Sequence, residues 1–124
     1  MKNGKVWGVS EAIFAMNNVE FHRIEIVAGG YCSKHYHANK WNMFFVEKGD
    51  LEISSWPNAN ANADVTILSD GETIAIRPGE PHRFRAITAT VAYEIYWSSL
   101  DAADIVREDV GGVHKCEAVE WAKP

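Results

Sequence analysis

The feature that most constrains the fold of this chain is a succession of short alternating segments, each followed by a turn signal. Apolar and polar residues alternate through 19–27, 51–56 and 91–97, and the segments Lys48-Gly49-Asp50 and Pro78-Gly79-Glu80-Pro81 interrupt the pattern. Alternation with period 2 is typical of strands, and short strands at regular spacing are typical of a β-sandwich or β-barrel. The sequence therefore predicts an all-β fold, in which the Lys48-Gly49-Asp50 turn makes a hairpin of its two neighbouring strands.

After residue 97 the alternating pattern is replaced by one that is typical of a helix. Residues 98–107 begin with serines that can cap a helix and continue with acidic residues in the first turn, and Gly111-Gly112 follows. This order predicts one short C-terminal helix. Because no linker or internal repeat divides the 124 residues, residues 1–124 are predicted to form a single domain.

Charge and hydropathy limit the partners that we expect. The net charge of −5 argues against a nucleic-acid partner, which normally requires a basic surface. No apolar segment has membrane-spanning length, and Met1-Lys2-Asn3-Gly4-Lys5 lacks the apolar region of a signal peptide. We therefore expect a cytoplasmic protein with neither a nucleic-acid nor a membrane partner.

Two cysteines, Cys32 and Cys116, are expected to remain reduced, since a single disulfide would give a chain of this size little structural support. Cys32 lies three residues before His35, a spacing that could indicate a Cys/His nucleophile. The alternative, which we favour, is a small half-buried thiol on a barrel strand.

Three histidines indicate a metal site. His35 and His37 are one residue apart and project from the same face if they lie on a strand, and His82 follows a predicted strand and turn. Neutral imidazole is the commonest protein ligand for transition metals. We predict one divalent ion bound inside the barrel, with zinc, iron, manganese and nickel all left open. His22, on a predicted inward face, is interpreted as a hydrogen-bonded core residue instead.

The chain resembles the cupin superfamily in two motifs. The first reads Gly29, five residues, His35, one residue, His37, four residues, Asn42, six residues, Gly49. The second reads Gly71, five residues, Arg77, one residue, Gly79, two residues, His82, three residues, Ala86. The resemblance implies a double-stranded β-helix, the cupin jelly roll.

The chain departs from the family at three positions: members usually have proline at Arg77, asparagine at Ala86 and, at Asn42, a glutamate that is the fourth metal ligand. The first two departures matter little. An amide oxygen is an uncharged, poorer donor for a divalent ion. The resemblance therefore implies Asn42 as a weak fourth ligand, and two interpretations stay open. One is a three-histidine site with open positions for water and substrate, and the other is a degenerate site that binds little metal.

The flanks of the chain suggest a subfamily. Val6-Trp7-Gly8 and residues 104–109 resemble the flanks of phosphomannose isomerase-like cupins, although Gly111-Gly112 stands where those proteins have Gly-Arg. This resemblance implies a metal-dependent, isomerase-like protein that acts on or binds a small sugar-derived or anionic molecule. An iron-dependent dioxygenase and a non-catalytic sugar-binding module remain as alternatives.

Glu94 and Tyr96 are the candidate catalytic residues, because they share one face of a late strand that could reach the cavity. Aldose–ketose isomerisation requires a base. The alternative for Glu94 is an external charge or a salt-bridge partner.

Two further patterns concern ligands and partners. Six basic residues lie around the motifs and could favour an anionic small molecule: Lys34, Lys40, Lys48, Arg77, Arg83 and Arg85. The strand 43–46 is apolar on both faces, so its outer face requires cover from another sheet. We expect a homodimer, with a second sheet of the same chain as the alternative.

Overall fold

The structure is a computed structural model that describes residues 2–58 and 62–98. All nine regular elements in these ranges are strands: β1 (Lys2–Lys5), β2 (Gly8–Met16), β3 (Val19–Ile26), β4 (Trp41–Lys48), β5 (Leu51–Ser55), β6 (Asp64–Leu68), β7 (Thr73–Ile76), β8 (His82–Ala86) and β9 (Thr90–Trp97). No described segment forms a helix of the length and hydropathy that crossing a membrane requires.

The strands form two antiparallel sheets that enclose one core. The larger sheet has the order β1-β2-β3-β9-β4-β7, and the smaller has the order β6-β5-β8. The predicted all-β jelly roll is therefore confirmed. The predicted C-terminal helix begins at the last described residue and otherwise lies outside the described ranges, and the single domain over 1–124 stays a prediction.

The turn at Gly49 differs from the sequence prediction. β4 pairs with β9 and β7, whereas β5 pairs with β6 and β8, so the predicted β4–β5 hairpin is wrong. Gly49 has φ 111°, and an added Cβ would lie 2.6 Å from Thr90 Oγ1. Because only glycine fits this conformation and close approach, the chain can bend sharply and pass from one sheet to the other.

The N-terminal segment forms a hairpin of β1 and β2 around Val6 and Trp7. Trp7 is buried, and its ring packs edge-on against Phe84 at 5.0 Å between centroids. The hairpin thus brings a large aromatic side chain over the space between the sheets.

The interior of the barrel is polar at one end and apolar at the other. The buried face of β4 runs from Asn42 to Val46, and that of β8 runs from His82 to Ala86. Antiparallel pairing brings the polar ends of neighbouring strands together. The core that packs the rest comprises Trp7, Ile24, Ile26, Cys32, Phe44, Val46, Leu51, Ile53, Leu68, Ile76, Phe84, Ala86 and Ala92.

Candidate metal centre and cavity

A cavity of about 520 Å³ opens at the polar end of the barrel. This volume is in the range of small-molecule sites. Both polar and apolar side chains line it: Lys5, Val6, Trp7, Ser10, Glu20, His22, Ile24, Cys32, Ser33, His35, His37, Lys40, Phe84, Glu94 and Tyr96.

The three predicted ligand histidines lie together beside this cavity. One ring nitrogen from each of His35, His37 and His82 lies within 4.8 Å of the others. His35 and His37 do not lie on a regular strand, as the sequence predicted; they lie in the irregular segment between β3 and β4. Main-chain hydrogen bonds join His35 to His82, with N–O distances of 3.1 and 2.8 Å, and this isolated bridge brings the two motifs together.

Main-chain carbonyls orient two of the three rings. His35 Nδ1 lies 2.7 Å from the carbonyl oxygen of Ser33, and His82 Nδ1 lies 2.9 Å from that of Glu80. Because a carbonyl oxygen only accepts, each Nδ1 carries the proton, and each Nε2 is left to bind an ion. Such outer hydrogen bonds are usual around metal-binding histidines.

His37 supplies the observation that a metal would explain. Its Nε2 is buried and has no hydrogen-bond partner among the described residues. Burial, with the neighbouring His35 and His82, lowers the pKa of His37 to about 4, and burial likewise lowers the pKa of His82. Both imidazoles are therefore neutral at pH 7, which is the form that binds metals. The donors present fit one divalent ion held by the three histidines.

Asn42 lies beside the histidines, as the resemblance implied. Its side chain is 1% exposed, and Oδ1 lies 3.1 Å from His82 Nε2. Adjacent ligand atoms around a six-coordinate ion are about 3 Å apart when each is about 2.1 Å from the ion. The position of Oδ1 thus suits a fourth donor.

Glu94 and Tyr96 both line the cavity, and Glu94 is not the external charge that the alternative interpretation expected. The Tyr96 hydroxyl donates a hydrogen bond to Glu94 Oε2. Burial raises the pKa of both side chains, so Tyr96 stays protonated as a donor. The Tyr96 ring also packs edge-on against His37, at 5.1 Å between centroids. The pair therefore lies next to the histidine cluster.

Sequence reasoning missed a second polar group on the cavity wall, formed by Glu20, His22 and Lys40. Lys40 Nζ lies 2.8 Å from Glu20 Oε2, and His22 Nε2 lies 3.5 Å from Glu20 Oε1. The Lys40 hydrogen bond lowers the pKa of Glu20. The signal available in the sequence was that Glu20 and His22 are two residues apart and share the inward face of β3.

The predicted basic cluster does not converge on the cavity. Of its six members, Lys40 alone is among the described residues that line the cavity. Arg77 and Arg85 pair with Glu80 and Glu52 on the surface, and Arg83 is exposed because it alternates with buried residues on β8.

Cys32 is a buried thiol rather than a nucleophile. Its Sγ accepts a hydrogen bond from the main-chain N–H of Phe84 at 3.2 Å. Burial raises the pKa of Cys32 to about 11, so almost no thiolate is present at pH 7. The favoured interpretation of Cys32 is confirmed in burial and chemistry, although Cys32 lies outside the regular strands.

Comparisons with known proteins agree with this architecture. The family model for the cupin domain matches residues 22–98. A search of curated proteins found no match. KdgF from a Halomonas species has a similar structure, with a TM-score of 0.68, 11% identity, and coverage of 79% of this chain and 86% of that one.

Two longer proteins contain a similar fold. A CapF protein solved with an inhibitor has a TM-score of 0.71 and 18% identity, over 82% of this chain and 31% of that one. Bacillus subtilis oxalate decarboxylase, studied for its Mn(II) centres, has a TM-score of 0.71 and 10% identity, over 79% and 27%. At these identities the likeness concerns the fold alone.

Proposed function

The chain belongs to the cupin family, and we propose that it is a metal-dependent enzyme acting on a small sugar-derived or anionic carbonyl compound. One observation carries this proposal: a cluster of three histidines that could hold an ion includes two, His35 and His37, that line the same cavity as the carboxyl group of Glu94. The Mn(II) centres of the similar oxalate decarboxylase fold support a divalent ion as the cofactor.

Under this proposal His35, His37 and His82 hold the ion, with Asn42 as a weaker fourth donor. When bound, a divalent ion polarises a carbonyl oxygen as a Lewis acid and so acidifies the neighbouring C–H group. Glu94 would take the proton from that carbon and return it to the former carbonyl carbon, while the proton of the neighbouring hydroxyl would pass through water to the former carbonyl oxygen; together these two transfers are the net change of an aldose–ketose isomerisation. The raised pKa of Glu94 suits this role, because a base that titrates nearer to neutral pH both takes and returns a proton.

Tyr96 acts as a positioning residue for this base. Its hydroxyl donates to one carboxylate oxygen of Glu94 and leaves the other oxygen to face the substrate. The assignment to the phosphomannose isomerase-like subgroup rests on the flanks of the chain. Of these, Val6 and Trp7 line the cavity, and residues 104–109 lie outside the described ranges.

The test combines elemental analysis with a proton-exchange assay. We expect zinc or manganese in the purified protein and deuterium incorporation at the carbon next to the carbonyl when a panel of sugar phosphates and uronates is incubated in D₂O. Glu94→Gln should abolish the exchange. Glu47→Gln is the matched control, because Glu47 is exposed and accepts a hydrogen bond from the Tyr93 hydroxyl outside the cavity. Exchange that survives Glu94→Gln would contradict the role of Glu94.

The alternatives give different results in the same experiments. Three neutral histidines without a carboxylate ligand also suit Fe(II), and iron with substrate-linked oxygen uptake would favour a dioxygenase. Tight sugar binding without exchange or oxygen uptake would favour a sugar-binding module.

We also propose that the outer face of the larger sheet binds a second copy of the chain. The outer face is defined by side chains that register places opposite one another on four strands: Phe14, Met16, Val19, Phe21, Trp41, Met43, Phe45, Tyr93, Ile95 and Trp97. Trp41 stacks on Trp97, and Phe21 stacks on Tyr93, so these rings share one surface. Phe14 and Met16 are 45% and 59% exposed.

The size of the outer face suits an interface. Four strands spaced by about 4.8 Å, carrying three rows of side chains, present roughly 400 Å² of apolar surface. This is about half of the ~800 Å² that each partner contributes to a stable complex, as expected for an apolar centre with a polar rim. A two-fold contact places this surface against itself, so apolar meets apolar.

Sedimentation velocity tests the dimer. Ile95→Lys places a charge at the centre of the outer face and should yield a monomer. Ile67→Lys is the matched control, because Ile67 is 53% exposed on the smaller sheet, and it should leave the dimer intact. A monomeric wild-type protein would overturn the proposal and would favour cover by another part of the same chain.

A further inference from the structure

We propose that the uncharged side chain at position 42, where this chain has Asn42, makes the binding of a metal ion and the binding of a small oxyanion depend on each other. The inference rests on the metal binding proposed above and names the class of ligand, a carboxylate or a phosphate monoester. It concerns the one residue of the site that departs from the family pattern.

The position of Asn42 is fixed by three strands. In the sheet register Asn42 on β4 lies opposite Tyr96 on β9 and Ile76 on β7, and its buried side chain points at His82. The amide therefore takes the fourth place in the donor set, 3.1 Å from His82 Nε2, with no other side chain competing for that contact among the described residues.

The donor set formed in this way carries no charge. Three neutral imidazoles and one amide oxygen leave a divalent ion with both of its positive charges, whereas a carboxylate at position 42 would cancel one of them. A partly enclosed ion of uncompensated charge is costly, because the cavity replaces water that would otherwise solvate it.

The rest of the cavity does not supply the missing charge. Its described lining contains two cations, Lys5 and Lys40, and two carboxylates, Glu20 and Glu94. Lys40 already pairs with Glu20 at 2.8 Å. Even with Glu94 counted as ionised, these groups sum to zero, so the two charges of the ion remain for a ligand to balance.

An oxyanion would balance the uncompensated positive charge of the ion. Its oxygen can occupy a position on the ion, and His22, Ser10 and Ser33 line the same cavity with groups that can bond hydroxyls of the same molecule. Linkage then requires that the oxyanion tighten metal binding by the factor by which the metal tightens oxyanion binding.

The experiment measures Co²⁺ affinity by visible absorption, with and without saturating ligand and with free Co²⁺ corrected for its complexes in solution. The probes are glycolate and methyl phosphate, and glycolamide is the neutral isostere of glycolate. In the wild-type protein, we expect glycolate or methyl phosphate to tighten Co²⁺ binding about tenfold or more, and glycolamide to change it by less than about twofold. Whichever of the two anions acts identifies carboxylate or phosphate as the ligand.

Asn42→Asp changes the charge of the fourth donor with almost no change in size. We expect it to tighten Co²⁺ binding without any anion by about tenfold and to reduce the effect of glycolate to under about threefold. Asn62→Asp, the same substitution at an exposed position, is the matched control and should alter neither quantity. Asn42→Ser removes the fourth donor but keeps the set neutral, so the coupling to glycolate should persist even if Asn42→Asp folds poorly.

The outcomes separate this inference from the proposed function. One-to-one Co²⁺ binding that neither anion tightens would overturn the role of Asn42 and leave the metal site standing. Coupling that is unchanged in a folded Asn42→Asp protein would also overturn it. Absence of Co²⁺ binding under all conditions would overturn both proposals.

Discussion

Replacing His35 by alanine should remove most of the stabilisation by metal without disturbing the fold. His35 is half-buried, and the hydrogen bonds that join its segment to His82 come from the main chain, which alanine retains. His82 is a poorer choice, because its 1% exposed ring packs against Phe44 and its loss would leave a cavity. The perturbation therefore removes a ligand and little else.

The size of the effect follows from linkage. An ion present at about 100 times its dissociation constant stabilises the folded protein by about 2.7 kcal/mol. At roughly 4 °C per kcal/mol for a chain of this length, the melting temperature should rise by about 10 °C. Loss of hydrogen-bond partners around metal ligands already costs 10–100-fold in affinity, so loss of a ligand should cost about 100-fold or more. At the same ion concentration, the stabilisation of His35→Ala is then about 0.4 kcal/mol, or ~2 °C.

Thermal denaturation followed by circular dichroism, with and without Zn²⁺ or Mn²⁺, measures this difference. His22→Ala is the matched control, because His22 is a half-buried histidine of the same cavity that does not belong to the three-histidine cluster. It should retain the full shift. An equal metal-induced shift in wild type and His35→Ala, or loss of the shift in His22→Ala, would refute the assignment of the ligands.

Three further predictions concern stability and reactivity. Metal-free protein should lose stability as the pH falls from about 6.5 toward 4, because His37 has a pKa of about 4 when folded and the unfolded chain binds more protons in this window. Urea unfolding at several pH values checks this, and His37→Gln should show a shallower slope than wild type. Cys32 should resist thiol reagents in the folded protein at pH 7.5 and react on unfolding, as peptide mass spectrometry would measure; rapid labelling when folded would be inconsistent with a pKa of about 11. Gly8→Ala should cost about 3 kcal/mol or more, because the added Cβ would lie 1.9 Å from the carbonyl oxygen of Glu25. Gly4→Ala, with nothing within 4 Å, should cost under about 0.5 kcal/mol, and equal costs by chemical denaturation would contradict this reasoning.

Local periodicity was sufficient to predict much of this fold. Alternation through 19–27 indicated a strand, and β3 spans Val19–Ile26 with Ile24 and Ile26 buried on one face, because side-chain direction on a strand depends on sequence spacing. The three histidines were also identified from sequence, since the two motifs have fixed spacings. Their meeting in space depends on a single main-chain bridge that no local pattern encodes.

The features that sequence reasoning missed depend on long-range register. The pairing of Lys40 with Glu20 joins an irregular segment to β3 across 20 positions, and neither residue is unusual in its own neighbourhood. The failure of the β4–β5 hairpin has the same origin, because a glycine turn fixes a sharp bend but not the sheet into which the next strand goes. The cavity wall is therefore a product of topology more than of pattern.

The barrel interior is polar at one end and apolar at the other, and this division affects how the sequence can evolve. Apolar packing is concentrated near Val46, Leu51 and Ala86. Replacements among the polar groups at the opposite end of the barrel should therefore change the free energy of unfolding only a little. New ligand specificities can then arise on the same fold by single substitutions, without compensating substitutions elsewhere in the chain.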